Sequence, residues 1–323
     1  MLEGQVVKLD RGYPLIRLGS GEELRCKHAT ALVKGEKVRA VIGDRVLLDV
    51  PEGHDRAILA EILPRETEFI RKDPTERALP QVLAANFDYV IIAQPVGDVN
   101  LRRLERELVL AHETGALVAV LLTKADLAEN EQEITSITEQ VRELVGNHDA
   151  VMVVSAEEPE SFECVRALIG PGVTAVLIGK SGVGKSSLVN LLVGDEVQET
   201  TPVREVDGKG RHTTVSREMI DLPSGGRIID MPGVRGLGLW DAESGIEAAF
   251  SDIEELAARC KFRDCSHEAE PGCAVRSAVE AGELSQKRLD SYRTLRQETR
   301  DIRERREEAS RIRTRTGHPR RRG

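Results

Sequence analysis

The chain has 323 residues, of which 40% are hydrophobic and 31% charged, and its formal net charge is −9. This length provides for two or three folded domains, and the negative charge argues against nonspecific binding of nucleic acid by the whole surface. No apolar run reaches the roughly 18 residues of a membrane helix and the N-terminus lacks a signal-peptide core, so we expect a cytoplasmic protein that does not contact a membrane.

Residues 1–66 are predicted to form a small β-barrel. Four β-rich runs alternate with turns that contain glycine: GQVVKLD, YPLIRLG, KVRAVIGDRVLLDV and AILAEILPR. This alternation favours a barrel of the oligonucleotide-binding (OB) type. Tyr13 is the one aromatic residue of this segment, so any contact with RNA should use phosphates and shape rather than base stacking.

The rest of the chain is predicted to divide into a polar linker at 67–84, an α/β domain at 85–240 and a helical domain at 241–323. Strands and helices alternate through the α/β domain, which predicts a doubly wound parallel sheet. The predicted strands are FDYVIIAQ, ALVAVLLT, AVMVVSA, VTAVLIG and RIID. The predicted helices cover residues 101–114, 131–145, 160–169 and 185–192.

A glycine-rich loop, GKSGVGKSS, follows the strand VTAVLIG and opens a helix. It satisfies G-x-x-x-x-G-K-S in the strand–loop–helix setting that a phosphate-binding loop requires, and this setting disfavours the alternative of a glycine turn without a ligand. Lys185 should reach the β- and γ-phosphates, and the Ser186 hydroxyl should bind Mg²⁺. The predicted nucleotide contacts of this loop are Gly179, Lys180, Ser181, Gly182, Val183, Gly184, Lys185, Ser186 and Ser187.

Two strand ends are predicted to select guanine. In Thr123-Lys124-Ala125-Asp126 the carboxylate of Asp126 can accept two hydrogen bonds from guanine, whereas adenine offers no such donor pair. The Lys124 side chain can cover the base plane, and Ser155-Ala156 can present a backbone N–H to the guanine O6. Each segment alone is also compatible with an ordinary strand end. Together with the phosphate loop they favour GTP over ATP.

Two further segments are predicted to sense the γ-phosphate. Asp230-Met-Pro-Gly233 matches D-x-x-G, in which the carboxylate binds Mg²⁺ through water and the Gly233 N–H contacts the γ-phosphate. The loop GKGRHTTVS contains Thr213 and Thr214. Either threonine could supply the second hydroxyl to Mg²⁺, and the sequence leaves this choice open.

The water that attacks the γ-phosphate has no obvious partner in the sequence. Val234 follows Gly233 at a position where many GTPases use glutamine to orient this water, and valine cannot do so. We therefore predict slow intrinsic hydrolysis that a partner accelerates, or positioning of the water by another group. His212 is a candidate for that group, although it fits a surface histidine equally well.

Three of the five cysteines lie close together in the C-terminal region. Cys260, Cys265, His267 and Cys273 form the pattern C-x₄-C-x-H-x₅-C, which fits a closed structural zinc site in a reducing compartment. The alternative, unpaired buried cysteines with a chance histidine, is disfavoured by this density. A catalytic zinc ion is disfavoured because no coordination position stays open. Cys26 and Cys164 are distant in sequence and should be ordinary core or surface residues.

The C-terminus is predicted to be a helix from about residue 285, followed by a disordered basic tail. Its apolar stripe is thin: Leu289, Tyr292, Leu295 and Ile302. Residues 309–323 contain six arginines and no acidic residue. A charge run is usually a solvated surface, but this basic segment could contact rRNA phosphates.

The motifs follow the order base motif, Ser-Ala, phosphate loop, threonine loop and D-x-x-G, which is the usual GTPase order circularly permuted. In this the chain resembles the ribosome small subunit-dependent GTPase A family. The residues that carry the resemblance are GKSGVGKSSLVN, GRHTT, DMPGVR-x-x-GLW and CKFRDCSHEAEPGCAV, after an N-terminal barrel. The chain departs from the family pattern at two positions. Thr123 stands where asparagine is more usual, and Met231 stands where threonine is more usual.

The resemblance implies a barrel, a permuted P-loop GTPase domain and a zinc domain that act late in maturation of the small (30S) ribosomal subunit. It implies binding of this subunit and its rRNA, GTP and Mg²⁺ as ligands, and GTP hydrolysis stimulated by the ribosome. We expect a monomer. Because D-x-x-G runs within about 30 residues into the cysteine cluster, we hypothesise that nucleotide state moves the C-terminal domain.

Two other functions compete with this interpretation. A nucleotide-dependent metal chaperone would need transferable metal ligands, whereas the four-residue cluster is typical of a structural site. An RNA-binding module with a purely structural nucleotide would not need the complete set of switch motifs. Measured GTP turnover and the lability of the metal distinguish the three.

Overall fold

The computed structural model describes residues 1–10, 13–30, 32, 38–50, 57–71, 81–146, 149–194, 217–231 and 242–316. The strands in these ranges are β1 (Leu2–Asp10), β2 (Tyr13–Leu18), β3 (Glu23–His28), β4 (Arg45–Asp49), β5 (Ala57–Ile62), β6 (Glu68–Arg71), β7 (Gln81–Ala85), β8 (Tyr89–Pro95), β9 (Leu117–Thr123), β10 (Ala150–Val153), β11 (Thr174–Ile178), β12 (Arg217–Asp221) and β13 (Arg227–Asp230). The α-helices are α1 (Leu101–His112), α2 (Glu131–Val145), α3 (Glu163–Leu168), α4 (Lys185–Val193), α5 (Glu243–Ala249), α6 (Ser251–Ala257), α7 (Ala274–Glu280) and α8 (Gln286–Thr316).

Strands β1 to β5 close into a barrel in the order β1-β2-β3-β5-β4, and β4 pairs back with β1. Alternate side chains fill its interior, among them Val6, Ile16 and Leu48, which are fully buried. Full closure leaves no unpaired strand edge within the barrel. The predicted OB-type barrel is therefore confirmed.

Two details of the barrel go beyond the sequence prediction. Strand β3 was not predicted because charged residues separate its apolar Leu24 and Cys26; the structure buries Cys26 and leaves its neighbours Arg25 and Lys27 exposed. Within the β-rich run KVRAVIGDRVLLDV, the described strand covers only Arg45–Asp49. A left-handed glycine, Gly43 at φ +87°, precedes this strand.

Strands β8 to β13 form a mostly parallel sheet in the order β10-β9-β8-β11-β13-β12, in which β12 is the antiparallel member. Alternate residues divide between the two faces. Val90 and Ile92 pack with α1 and α2, whereas Ile91 and Ala93 pack with α3 and α4. Helices on both faces make this a doubly wound α/β domain.

The chain order through this sheet matches the circular permutation that the motif order predicts. The phosphate loop follows β11, at the centre of the sheet, yet β8, β9 and β10 on one side of it all come earlier in the chain. Strands β12 and β13 come later and lie on the other side. The permuted fold predicted from the motif order is thus confirmed.

The segment predicted as a linker contains regular structure. Strands β6 and β7 form an antiparallel hairpin, which contacts the barrel through a bridge between Ile42 and Ala84. The buried carboxylate of Asp44 supports this junction: it accepts two hydrogen bonds from the Arg65 guanidinium, at 2.7 and 2.9 Å. Charge-assisted, bidentate pairs of this kind are the stronger hydrogen bonds of proteins.

The barrel and the parallel sheet are hydrogen-bonded to each other. Strand β1 pairs with β12, with Lys8 opposite Glu218 and Leu9 opposite Arg217. Lys8 Nζ lies 2.7 Å from Glu218 Oε2. All the strands except those of the hairpin therefore belong to a single eleven-stranded sheet in the part of the chain that the structure describes.

The C-terminal helices pack on α1 and α2. Their core contains Phe250 and Tyr292, whose rings meet edge to face at 5.6 Å. The buried Arg288 of α8 is the central anchor: its guanidinium donates to both Asp252 oxygens, at 2.7 and 2.8 Å, and to the carbonyl oxygen of Leu144 near the end of α2.

Helix α8 continues through Thr316, so the first half of the basic segment 309–323 lies in the helix rather than in a disordered tail as predicted. Arginine and glutamate are good helix formers, and pairs such as Arg303 and Glu307, at i and i+4 with 3.6 Å between them, add support. The remaining seven residues lie outside the described ranges. No helix in the described residues is both long and apolar enough to cross a membrane.

The contact between Gly43 and the hairpin gives a test of the barrel junction. A Cβ atom at Gly43 would lie 1.9 Å from the carbonyl oxygen of Ala85, at a positive φ, whereas a Cβ at Gly19 would meet nothing within 4 Å. We expect Gly43→Ala to lower the free energy of unfolding by about 2–4 kcal/mol and Gly19→Ala to change it by less than about 0.5 kcal/mol. Urea denaturation followed by circular dichroism measures both; equal midpoints would contradict the described junction.

Candidate nucleotide and metal sites

The phosphate loop joins β11 to α4. Gly179 leaves the strand at φ +148°, and a Cβ atom there would lie 2.6 Å from the carbonyl oxygen of Ala93. Gly182 and Gly184 also have positive φ, 84° and 98°. These glycines let the loop turn tightly against β8, and α4 begins at Lys185, so that its N-terminal N–H groups open toward the loop.

The side chain of Lys185 folds over the loop. Its ammonium donates to the carbonyl oxygens of Gly179 at 2.8 Å and Lys180 at 3.0 Å. Burial lowers the pKa of Lys185, while the negative charges of Asp230 and Glu107 oppose this effect. The predicted phosphate lysine and the predicted D-x-x-G aspartate are therefore close together. Ser186 and Ser187 follow in the first turn of α4.

Thr123 connects the base-reading segment to the phosphate loop. Its buried hydroxyl donates to the carbonyl oxygen of Val183 at 2.7 Å and contacts that of Gln94 at 3.3 Å. Thr123 stands where asparagine is more usual in the family that the sequence resembles. The structure shows that the threonine hydroxyl ties the phosphate loop to β9.

Asp126 lies in the turn after β9 and is oriented by Ser155. The Ser155 hydroxyl donates to Asp126 Oδ1 at 3.0 Å, and the Ser155 backbone N–H donates to Ser161 Oγ at 3.0 Å. Because the Ser155 N–H has this partner, the Ala156 N–H stays the candidate for the predicted contact to guanine O6. Lys124 at φ +58° starts the turn, and its Cε would lie 3.9 Å from a Cβ built on Gly184.

Two polar residues near the phosphate loop were not among the sequence candidates. Gln94 is the next-to-last residue of β8 and Glu107 lies on α1, and both are buried, at 3% and 4% exposure. Gln94 Nε2 donates to Glu107 Oε2 at 2.6 Å. A signal existed in the sequence: Glu107 interrupts the apolar face formed by Leu104, Leu108 and Ala111.

The predicted switch residues divide between the described and the undescribed parts of the chain. His212, Thr213 and Thr214, and also Gly233 and Val234, lie outside the described residues. Asp230 is described at the end of β13, next to the phosphate strand, in register with Leu177 of β11.

The predicted metal ligands come together in the C-terminal domain. The ligand atoms of Cys260, Cys265, His267 and Cys273 all lie within 4.8 Å of one another. Cys260 Sγ is 3.6 Å from His267 Nδ1 and 3.9 Å from Cys273 Sγ. A tetrahedral ion bound to thiolates at about 2.3 Å and to imidazole at about 2.1 Å separates its ligands by roughly 3.5–3.8 Å, so these residues fit a metal ion.

The local structure supports this cluster. His267 and Cys273 are buried, and Cys273 caps α7, where its sulfur accepts from the Arg276 N–H at 3.5 Å. Burial raises the pKa of the Cys260 thiol, but backbone N–H groups of Val275 and Ala274 and the neighbouring cysteines lower it below the ordinary value. A bound dication would favour the thiolate form of all three cysteines. Cys26 is buried in the barrel and Cys164 is exposed, apart from the cluster.

Comparisons with known proteins agree with this arrangement. Residues 62–240 match the family model described as RsgA GTPase. A protein of Streptomyces avermitilis, named small ribosomal subunit biogenesis GTPase RsgA, is 43% identical over 305 residues, which are 94% of this chain and 80% of that protein. A protein of the same name from Xanthomonas axonopodis pv. citri is 45% identical over 261 residues, or 80% of this chain and 69% of that one.

Two solved structures are similar in fold. YjeQ from Thermotoga maritima has a TM-score of 0.71 and 24% identity, covering 92% of this chain and 98% of that chain. YloQ, described as a circularly permuted GTPase, has a TM-score of 0.69 and 26% identity, covering 93% and 96%.

The hydrogen bond from Thr123 to Val183 gives a test of the nucleotide site. Thr123→Val keeps the side-chain volume but removes the hydroxyl, so we expect the affinity for GDP to fall about tenfold. Thr123→Ser keeps the hydroxyl and should retain most of the affinity. Titration with a fluorescent GDP analogue measures both variants. Equal loss in the two would show that volume, rather than the hydrogen bond, matters at this position.

Proposed function

The chain belongs to the RsgA GTPase family, and from this premise we propose that it binds the small (30S) ribosomal subunit and its rRNA late in maturation of that subunit. It is a GTPase of small ribosomal subunit biogenesis, as its relatives are named. We further propose that contact with the subunit stimulates hydrolysis, and that the protein works as a monomer in the cytoplasm, where ribosomal subunits mature.

One observation carries the nucleotide part of this proposal: the hydroxyl of Thr123 bonds the phosphate loop to the segment that contains Asp126. The base-reading carboxylate and the phosphate loop are thereby held at a fixed separation, as a single nucleotide that spans both requires. Ser155 orients the Asp126 carboxylate. A carboxylate in this position favours guanine, because guanine has two N–H donors to offer it.

Hydrolysis transfers the γ-phosphoryl group of GTP to water and gives GDP and phosphate. In our proposal Lys185 leaves the loop carbonyls for the phosphate oxygens, where its charge stabilises the transition state. Ser186 and Asp230 would hold Mg²⁺, which neutralises phosphate charge when it is bound. The proximity of Asp230 to Lys185 at the end of the sheet supports this ligand set. Thr213, Thr214, Gly233 and His212 stay candidates for the remaining roles.

The stimulation by the subunit is proposed from Val234. Valine cannot orient the attacking water, so the chain alone should hydrolyse GTP slowly. A group that is completed or ordered only on the 30S subunit would then set the rate. The exposed basic residues of α8 and the arginine segment after it are proposed to contact rRNA phosphates, since clustered arginines bind phosphate through charge.

The Cys/His cluster is proposed to hold one structural zinc ion. Three thiolates and one imidazole are typical of zinc, and four protein ligands leave no position for a substrate. The ion would join the loop at 260–267 to the start of α7. A closed site of this kind also argues against a metal chaperone, which must release its metal.

The rate of GTP hydrolysis tests the ribosomal part of the proposal. We expect a slow rate for the purified protein and a rise of at least about 10-fold with small ribosomal subunits, as partner-supplied groups give to other GTPases. Large subunits and ATP serve as controls and should give no rise. A fast rate without subunits, or no response to small subunits, would contradict the proposed stimulation and leave the GTPase activity intact.

Metal analysis tests the zinc site. We expect about one zinc ion per chain in the unmodified protein, and loss of that ion in Cys265→Ser because three ligands do not close the site. Cys164→Ser, a matched change at an exposed cysteine outside the cluster, should keep the zinc. Zinc that exchanges freely with a chelator while GTP turnover continues would favour a metal-carrying role instead.

A further inference from the structure

Glu107 is a buried carboxylate without a role in the account so far. It lies on the inner face of α1, with 4% exposure, among residues of the main hydrophobic core such as Leu104 and Leu108. Taking a carboxylate out of water costs several kcal/mol unless it is paired and hydrogen-bonded. A leucine at this position would avoid that cost, so packing alone does not explain a glutamate.

Each oxygen of this carboxylate has its own donor. Gln94 Nε2 donates to Oε2 at 2.6 Å, and Arg103 Nε donates to Oε1 at 2.8 Å. Burial raises the pKa of Glu107, and these two donors oppose the shift. The carboxylate therefore holds the side chain of Gln94 in one orientation at the end of β8.

The same residue, Gln94, connects to the phosphate loop. Glu107 binds the side-chain amide of Gln94, whereas the backbone carbonyl oxygen of Gln94 contacts the Thr123 hydroxyl at 3.3 Å. That hydroxyl donates to the backbone carbonyl oxygen of Val183 at 2.7 Å. A continuous chain of contacts thus runs from Glu107 through Gln94 and Thr123 to the loop. The negative charge of Glu107 also opposes the lowering of the Lys185 pKa by burial.

We propose that Glu107 is a positioning residue of the nucleotide site: by fixing Gln94 it holds the end of β8, and through Thr123 the phosphate loop, in the conformation that binds phosphate. It does not touch the nucleotide. This inference rests on the proposed nucleotide function of the loop and adds to it a support that comes from helix α1.

The helix supplies a matched control. Glu105 is also a buried carboxylate on α1, at 9% exposure, but it faces the C-terminal domain, where it accepts a hydrogen bond from Ser291 Oγ at 2.5 Å. Glu107→Gln and Glu105→Gln are the same chemical change, two positions apart on one helix. A general weakening of α1 would appear in both variants, whereas loss of loop positioning would appear in the first alone.

The experiment measures GDP affinity and steady-state GTP hydrolysis for the full chain. An amide at position 107 turns a donor toward Gln94 or Arg103. The contact with Arg103 is then lost, or the Gln94 amide must reverse to accept, so the native pair of contacts that fixes Gln94 is not kept. We expect Glu107→Gln to weaken GDP binding about 5- to 10-fold and to raise KM for GTP with kcat within about twofold, because the lost contact acts on binding. Glu105→Gln should leave GDP affinity within about twofold.

A double substitution tests the route. If Glu107 acts through Thr123, Glu107→Gln should cause less than about a twofold further loss of affinity in a Thr123→Val background. Full additivity of the two losses would overturn the proposed route. Equal affinities of Glu107→Gln and the unmodified protein, or equal losses in Glu107→Gln and Glu105→Gln, would overturn the proposal itself.

The controls distinguish failure of the proposed nucleotide function from failure of the proposed role of Glu107. If the unmodified protein fails to bind GDP, the nucleotide function fails and not the positioning role alone. If Glu107→Gln does not fold, Arg103→Met removes one donor from the carboxylate at a half-exposed position. This variant should weaken GDP binding in the same direction by a smaller factor, and unchanged binding would overturn the proposal.

Discussion

The parallel pairing of β11 with β8 on one side and β13 on the other is the constraint on which the nucleotide site depends. Parallel strands bring their carboxyl ends to the same edge of the sheet, and there the chain places the phosphate loop, Gln94 and Asp230 beside one another. Strand β9 brings Thr123 to the same edge. Since these segments are far apart in sequence, it is the sheet that assembles the site, and the starting point of the chain can move without disturbing it.

Helix α1 serves two parts of the molecule. Its inner face carries Arg103 and Glu107 behind the phosphate loop, while Arg106 on another face makes a bidentate pair with Glu298 of α8, at 2.6 and 3.1 Å. That pair is half exposed and contributes little by itself. The buried contacts of Arg288 are the stronger attachment of α8. The C-terminal domain is thus seated on the helix that supports the loop, in addition to the covalent connection after Asp230 on which the sequence-based hypothesis of coupling rests.

Local sequence patterns predicted the parts of this protein that need particular residues at particular spacings. The phosphate loop, the cysteine cluster and the long strands of the α/β domain are of this kind, because glycine conformations, metal ligands and buried β-strands restrict composition strongly. Strand β3, the β6–β7 hairpin and the length of α8 were missed. Strand β3 and the end of α8 are mostly polar. The hairpin strands are short, and tertiary pairing decides their structure. The partnership of Gln94 and Glu107 could not be predicted either, since it depends on how α1 lies across β8.

The pairing of β1 with β12 lets the N-terminal barrel protect an edge of the parallel sheet. Without it, β12 would be the last strand of the parallel sheet and would present its unpaired backbone groups to solvent, which is the kind of edge that recruits other chains. Strand β1 covers the start of that edge, at Arg217 and Glu218, where the partly exposed salt bridge between Lys8 and Glu218 also lies. A chain cut after residue 66 would lose this cover and leave all of β12 as an open edge, so association of such a fragment with copies of itself would be a property of the cut.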